Sequence, residues 1–168
     1  MQTLVYVAFG SNLGNREDNI RAALSLASER VGNCLTVSSL YLTAPEAMDD
    51  VPDFVNAVAC FKTSLSAREL LRVLQGIEGS LGRPADHGVR ESRTIDLDIV
   101  SFGDCRIDEP GLVVPHPRAH LRGFVLEPLA EIAPALVLPG QSKTARELAN
   151  GIAPRARMKI ISPGKHDG

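Results

Sequence analysis

The chain has 168 residues, 44% of them hydrophobic, with a net charge of −2 and no tryptophan. That length suits one domain with a closed core, and the hydrophobic fraction excludes a disordered chain. The small charge and the 4% aromatic content exclude a strongly basic or base-stacking surface, so neither nucleic acid nor an anionic membrane is an expected partner. Cys34, Cys60 and Cys105 are scattered, with no C-x-x-C pair. They read as reduced thiols in a cytoplasmic protein rather than a disulfide frame or a zinc site. The opening MQTLVYVAFGSN has no basic segment followed by a long apolar run, so neither a signal peptide nor a membrane span is expected.

In chain order, TLVYVAFGS is an apolar run ending in Gly10 and Ser11 and predicts a strand. Asn15 is placed to cap the next helix, where Ile20, Ala23, Leu24, Ala27 and Val31 recur at helical spacing before Gly32 ends it. CLTVSSLYLTAP predicts a second strand stopping at Pro45, EAMDDVPD a polar loop, and FVNAVACFKTS a third strand. Ser66 and Glu69 form a capping box for a helix carrying Leu70, Leu74, Ile77 and Leu81, closed by Gly82. RPADHGVRES has no periodicity and reads as a loop; RTIDLDIVSFG is a fourth strand. The order βαββαβ defines an α+β fold of the split βαβ, ferredoxin-like type, an antiparallel sheet with helices on one face. Beyond it, VVPHPRAHLRGFVLEPLAEIAP predicts a turn and a helix ending near Pro134. Thr144 and Glu147 make a second capping box for a short helix at TARELAN, RMKIIS a further strand, and PGKHDG a loose tail. With no repeat and no linker, residues 1–162 read as one domain and 163–168 as a flexible tail.

Chemistry concentrates in the fourth strand. Side chains alternate on a pleat, so Ile95, Leu97 and Ile99 point to the helix layer while Asp96 and Asp98 share the other face, about 6–7 Å apart. Adjacent like charges on a strand repel and resist burial, so a cation belongs between them. Carboxylates at this spacing suit Mg²⁺ completed by water and substrate phosphates, and two such ions can clamp a displacement at phosphorus. A bare D-x-D is most often a solvated strand face; Arg93 just before the strand, with Arg83 and Arg90 in the preceding loop, shifts the balance toward a polyphosphate site. No Walker loop occurs. GSNLGN resembles a phosphate cradle but is equally a tight turn with a helix cap. On the third strand Phe54, Asn56, Val58 and Cys60 share a face; Asn56 by itself reads first as an amide satisfied by loop backbone, and otherwise offers donors and an acceptor to a ring edge with Phe54 as a stacking surface. Glu78 borders the apolar stripe of its helix, as a solvated edge or a ligand. His116, His120 and Arg122 lie between prolines, of which His116 and Arg122 read as phosphate contacts. His87 and His166 receive no role.

The stretches FGSNLGNRE, TAPEAMDDVPDFVNAV, RTIDLDIV and VPHPRAHLRGFVLEPLAEIAP, in this order between Leu4 and Pro134, resemble the 6-hydroxymethyl-7,8-dihydropterin pyrophosphokinase family of folate biosynthesis. The resemblance implies a three-layer α-β-α protein on a ferredoxin-like core. It also implies pyrophosphoryl transfer from ATP to the pterin hydroxymethyl group with release of AMP. Asp96 and Asp98 would hold two Mg²⁺ against the triphosphate. Thr43, Ala44, Glu46, Phe54, Asn56 and Phe124 would line the pterin pocket, some through backbone groups. Gln75, Glu78, Ile99, His116 and Arg122 would contact ATP, and Arg83 and Arg93 would stabilise charge on the departing bridging oxygen. Where the family carries a Trp-Gly-Pro run this chain has Arg90-Glu91-Ser92, and Ala85 replaces a second arginine. The loop thus lacks an aromatic lid and one cation, and Arg90 is placed to recover part of that role against ATP. Small-molecule substrates and a cytoplasmic monomer are expected. The alternative is a non-catalytic ferredoxin-like domain that binds a small metabolite, which has no need of Asp96, Asp98, Arg83 and Arg93 together.

Overall fold

A computed structural model describes residues 2–43, 54–82, 94–152 and 158–164. Strand β1, Thr3–Ser11, alternates along its length: Val5, Val7 and Phe9 are buried, while Tyr6, Ala8 and Gly10 turn to the other face. It pairs antiparallel with β4, Phe54–Thr63, on one side and with β5, Asp96–Phe102, on the other. Beyond β4 lie β2, Asn33–Val37, and β3, Leu40–Thr43; β8, Met158–Ser162, pairs with β3 at the far edge.

Helices α1, Arg16–Arg30, and α2, Ala67–Ser80, seal one face. Their buried residues Ile20, Ala27, Leu70, Leu74 and Ile77 meet Val7, Phe9, Phe61, Leu97 and Ile99 in the larger core. The Phe9 and Phe61 rings sit 6.4 Å apart at 43°, a tilted aromatic pair. Helices α3, Gly123–Ile132, and α4, Ala145–Gly151, pack Leu126, Leu129 and Ala145 on Val58 and Val100 of the opposite face. The ferredoxin-like order expected from the sequence is present. Its helices cover both faces, as the family resemblance implied and the bare βαββαβ pattern did not.

Local signals behaved as their chemistry dictates. Asn15 caps α1, and the Ser66–Glu69 and Thr144–Glu147 boxes are both formed. Gly32 ends α1 because the backbone of β4 passes there: a Cβ would lie 2.2 Å from the Lys62 carbonyl oxygen. Three departures have physical reasons. The predicted second strand is two, because the regular ladder breaks at Ser38 and Ser39: the Ser38 N–H still donates to the Val58 carbonyl at 2.9 Å, but the Val58 N–H is taken by the Ser38 hydroxyl at 2.9 Å. A hairpin of β6, Ile107–Glu109, and β7, Leu112–Val114, was not expected, since three-residue strands are too short to show a period. Finally, the β1–β5 register shifts between Tyr6 and Val7, so Val100 faces the α3 layer and Phe102 returns to the side of Val5, a β-bulge that re-aims side chains. Of the predicted tail, Gly164 donates its N–H to the Ser39 hydroxyl at 3.0 Å; residues 165–168 lie outside the described residues. Among the described residues no helix is long and apolar enough to cross a membrane.

The chain's two tyrosines test this packing. Burial raises Tyr6 to about 12, with the Cys60 thiol adding to it. Burial, then the hydrogen bond to Glu131, pushes Tyr41 well above the ordinary tyrosine value. Unfolded tyrosine ionises near pH 10, so above that pH the unfolded chain has released protons that the native state keeps. Stability is therefore complete below about pH 10 and is lost as pH rises through the native values. Ultraviolet absorbance should show tyrosinate forming near pH 10 in denatured protein and at clearly higher pH in native protein. Native tyrosines that titrate at the denatured value would contradict the buried placement.

Candidate functional site

The register of four strands aligns a polar row on the sheet face opposite α1 and α2. Tyr41 lies across from Asn56, Asn56 from Gly10, and Gly10 from Asp96. Two residues to one side of this row Thr43 lies across from Phe54, and two residues to the other side Ala8 lies across from Asp98. At about 4.8 Å per strand, Asn56 and Asp96 stand about 10 Å apart with Gly10 between them. A Cβ on Gly10 would come 3.2 Å from Asn56 Oδ1, so the glycine keeps a shallow trough open across the sheet. Asn56 is buried, and its Nδ2 donates to Thr43 Oγ1 at 2.9 Å. That bond orients the amide so that its oxygen faces the trough. Gly10, Phe54, Asp96 and Asp98 are half-buried.

The segment from β7 to α3 brings further groups to the acidic end. The His116 N–H donates to the Val100 carbonyl at 2.9 Å, and its Nδ1 accepts the Arg118 N–H at 3.2 Å. That hydrogen-bond pattern assigns the remaining proton of the neutral ring to Nε2. Burial holds the imidazole below the ordinary histidine value. The charge of Asp98 opposes that shift, Arg122 and Arg118 reinforce it, and Asp96 opposes it more weakly. The Arg122 guanidinium stands 5.4 Å from the centre of the Phe124 ring at the start of α3, a cation–π contact. Beside His116, a cleft of about 320 Å³ opens between the β6–β7 hairpin and the 138–141 turn, lined by Arg106, Val113, His120 and Gln141 among others.

The remaining described site candidates lie on α2 and β5. The Glu78 side chain is buried, and its Oε2 accepts the Leu97 N–H at 2.9 Å. It is no solvated edge: it fills a backbone valence of β5, the sheet's outer strand. The Ile99 side chain lies in the α1–α2 core, so this residue faces the site only through its backbone. Gln75 is exposed on α2. The GSNLGN turn is less a cradle than a clamp. Ser11 Oγ donates to the Thr94 carbonyl at 2.5 Å, and Asn19 Nδ2 reaches the Leu13 carbonyl at 2.8 Å and the Thr94 carbonyl at 3.2 Å. Ala44, Glu46, Arg83, Arg90 and Arg93 lie outside the described residues. The sequence reading misses Gly10, although a glycine inside a strand signals a close backbone approach.

The donor set defines the chemistry this face can support. Among the described residues no three His, Cys, Asp or Glu side chains converge on one point. Two hard carboxylates on an open face, with the remaining ligands left to water and phosphate oxygens, fit Mg²⁺ and not a closed zinc site. The amide and aromatic groups at the other end of the trough fit a flat polar ring. These features define a ferredoxin-like α-β-α protein with an acidic pair at one end of a sheet face and an amide–aromatic group at the other. Residues 6–134 match the family model for 7,8-dihydro-6-hydroxymethylpterin-pyrophosphokinase, and the chain belongs to that family. It is 45% identical over 134 residues to the 2-amino-4-hydroxy-6-hydroxymethyldihydropteridine pyrophosphokinase of Bacillus subtilis, covering 79% of each protein. It is 42% identical over 156 residues to the Haemophilus influenzae enzyme of that name, covering 92% of this chain and 96% of the relative. The HPPK-DHPS crystal structure from Plasmodium falciparum shares the fold at a TM-score of 0.71 and 16% identity, over 88% of this chain; the chain spans 43% of that protein's length.

Glu78 yields a stability test. Glu78→Ala removes a buried acceptor and strands the Leu97 N–H, which costs about 1–3 kcal/mol. Glu78→Gln keeps an acceptor oxygen and should cost less. Denaturant unfolding measures both, and two equal, negligible losses would show that the β5 edge does not need this carboxylate.

Proposed function

We propose that the chain transfers the pyrophosphoryl group of ATP to the hydroxymethyl oxygen of 6-hydroxymethyl-7,8-dihydropterin, releasing AMP, in folate biosynthesis. One observation carries this reading: the Asp96–Asp98 pair and the Asn56–Thr43–Phe54 group share one open sheet face in a chain of this family. The hydroxymethyl oxygen attacks the β-phosphorus of ATP, the bond from that phosphorus to the α,β-bridging oxygen breaks, and AMP leaves with the bridging oxygen. The hydroxymethyl proton is lost to solvent. Asp96 and Asp98 would hold two Mg²⁺, whose chemistry is to neutralise the triphosphate charge and align the displacement.

The chain's own groups divide the remaining work. Asn56 would read the pterin edge, with Phe54 and Phe124 against the ring faces and Thr43, Ala44 and Glu46 completing the pocket. His116 is held below its ordinary pKa, so it offers Nε2–H as a neutral donor to a phosphate oxygen, beside the fixed charge of Arg122. Gln75, Glu78 and Ile99 would meet ATP on the outer side of β5, Ile99 through its backbone. Arg83 and Arg93 would neutralise charge on the departing oxygen, with Arg90 against ATP, since fixed cations are worth most where charge develops. The substrates are small molecules, and the protein acts as a cytoplasmic monomer, one catalytic domain over residues 1–162.

The test is AMP release from ATP. AMP should form one-for-one with the pterin pyrophosphate, and only when ATP, Mg²⁺ and the pterin are all present. Ligand binding without AMP would favour a non-catalytic binding domain instead. Asp96→Ala and Asp98→Ala should each abolish turnover while the metal-free unfolding midpoint changes little, because each truncates a half-buried side chain and opens no cavity in the core. A large stability loss with activity retained would make the pair structural. Asn56→Ala should raise the pterin KM by about tenfold or more, in line with the cost of an unpaired ring edge, and leave the ATP KM nearly unchanged. An equal rise in both constants would remove Asn56 from the pterin pocket.

A further inference from the structure

We infer that Glu131 is a positioning residue for the pterin half of the site, an inference that rests on the pyrophosphokinase reading. Glu131 stands near the end of α3, seven residues after Phe124. Seven residues fall about 20° short of two helical turns, so the two side chains leave one face of the helix about 10 Å apart. The carboxylate spans the gap from the helix layer to the sheet. Both of its oxygens accept the Ser39 N–H at 3.0 Å, one accepts the Ser39 hydroxyl at 2.8 Å, and the other accepts the Tyr41 hydroxyl at 2.6 Å.

These bonds fall at the break between β2 and β3, where the strand has no regular ladder of its own. Glu131 therefore sets where β3 begins. Tyr41 lies directly across from Asn56, and two residues later Thr43 holds the Asn56 amide. The chain of contacts runs from Glu131 through Ser39 and Tyr41 to Thr43 and Asn56. At its other end α3 carries Phe124, braced by Arg122. Glu131 thus fixes the gap between Phe124 on the helix and Asn56 and Phe54 on the sheet, which is where a flat ring would enter. The C-terminal segment supports the same point. Gly164 donates to the Ser39 hydroxyl at 3.0 Å, and it approaches so closely that a Cβ would lie 2.6 Å from the Ser38 and Ser39 backbone. A charged acceptor serving three donors is stronger and more directional than a neutral one. Ser39 and Tyr41 lie on the β3 side of the sheet, and both β4 and β1 separate β3 from the aspartates on β5. The ATP half of the site should therefore be spared when Glu131 is changed.

Steady-state kinetics with each substrate varied in turn tests the assignment. Glu131→Ala should raise the pterin KM about tenfold while the ATP KM stays within about twofold. Glu131→Gln, which keeps one acceptor oxygen, should recover part of the loss. Tyr41→Phe should give a smaller rise of the same selectivity. If Glu131→Ala does not fold, the Gln and Phe variants decide the matter: an unchanged pterin KM in both overturns the assignment. Both KM values rising together, or a lowered melting temperature with both constants intact, also overturns it and leaves Glu131 as a fold contact. Unmodified protein that releases no AMP overturns the pyrophosphokinase reading, and the positioning role with it.

Discussion

The antiparallel register of β1 between β4 and β5 governs everything built on this sheet. Because side chains alternate strictly, a slip of one residue would send every side chain of a strand to the opposite face. Asp96, Asp98 and Asn56 would then enter the α1–α2 core, and Leu97 and Ile99 would leave it. The buried alternation of Val5, Val7 and Phe9 opposes such a slip. So does the clamp of Ser11 and Asn19 on the Thr94 carbonyl, two residues before Asp96. The same pleat that closes the hydrophobic core thereby delivers a polar row to the other face, and one glycine keeps that row passable.

The second helix layer gives the row of this candidate site two ends. The segment from Val114 to Gly123 carries His116 and Arg122 toward the aspartates, and α3 carries Phe124 toward the amide end. An edge strand and a strand break leave open hydrogen-bonding valences, and the fold answers them twice in the same way. Glu78 of α2 accepts the Leu97 N–H on the outer strand, and Glu131 of α3 accepts the Ser39 N–H at the β2–β3 break. In each case a helix carboxylate stands where a neighbouring strand would have been. Such buried acceptors are costly to remove, because the stranded N–H has no water to turn to.

Legibility followed the range of the interaction. Asn15, Ser66 with Glu69, and Thr144 with Glu147 act within one turn of chain and were readable as motifs. Asp96 and Asp98 were readable because the spacing that sets their shared face is two residues. Glu78 could be placed on its helix but not given a partner, since the Leu97 N–H is 19 residues away. Glu131 sits inside an apolar helix without any local sign, and its partners are 90 and 92 residues distant. The break at Ser38–Ser39 was hidden for the same reason: CLTVSSLYLTAP is a continuous strand pattern until an acceptor from α3 interrupts it.

Periodicity, capping chemistry and the spacing of the aspartates therefore settle the order of elements, the split βαβ core and the shared face of Asp96 and Asp98, because each depends on residues a few positions apart. The antiparallel pairing of β3, β4, β1 and β5 decides that Thr43, Asn56, Gly10 and Asp96 form one trough. The docking of α3 decides how far Phe124 stands from it. Those distances arise from contacts between segments remote in sequence, where the free energy of packing and of satisfying buried N–H groups selects one register among several that the local pattern would permit.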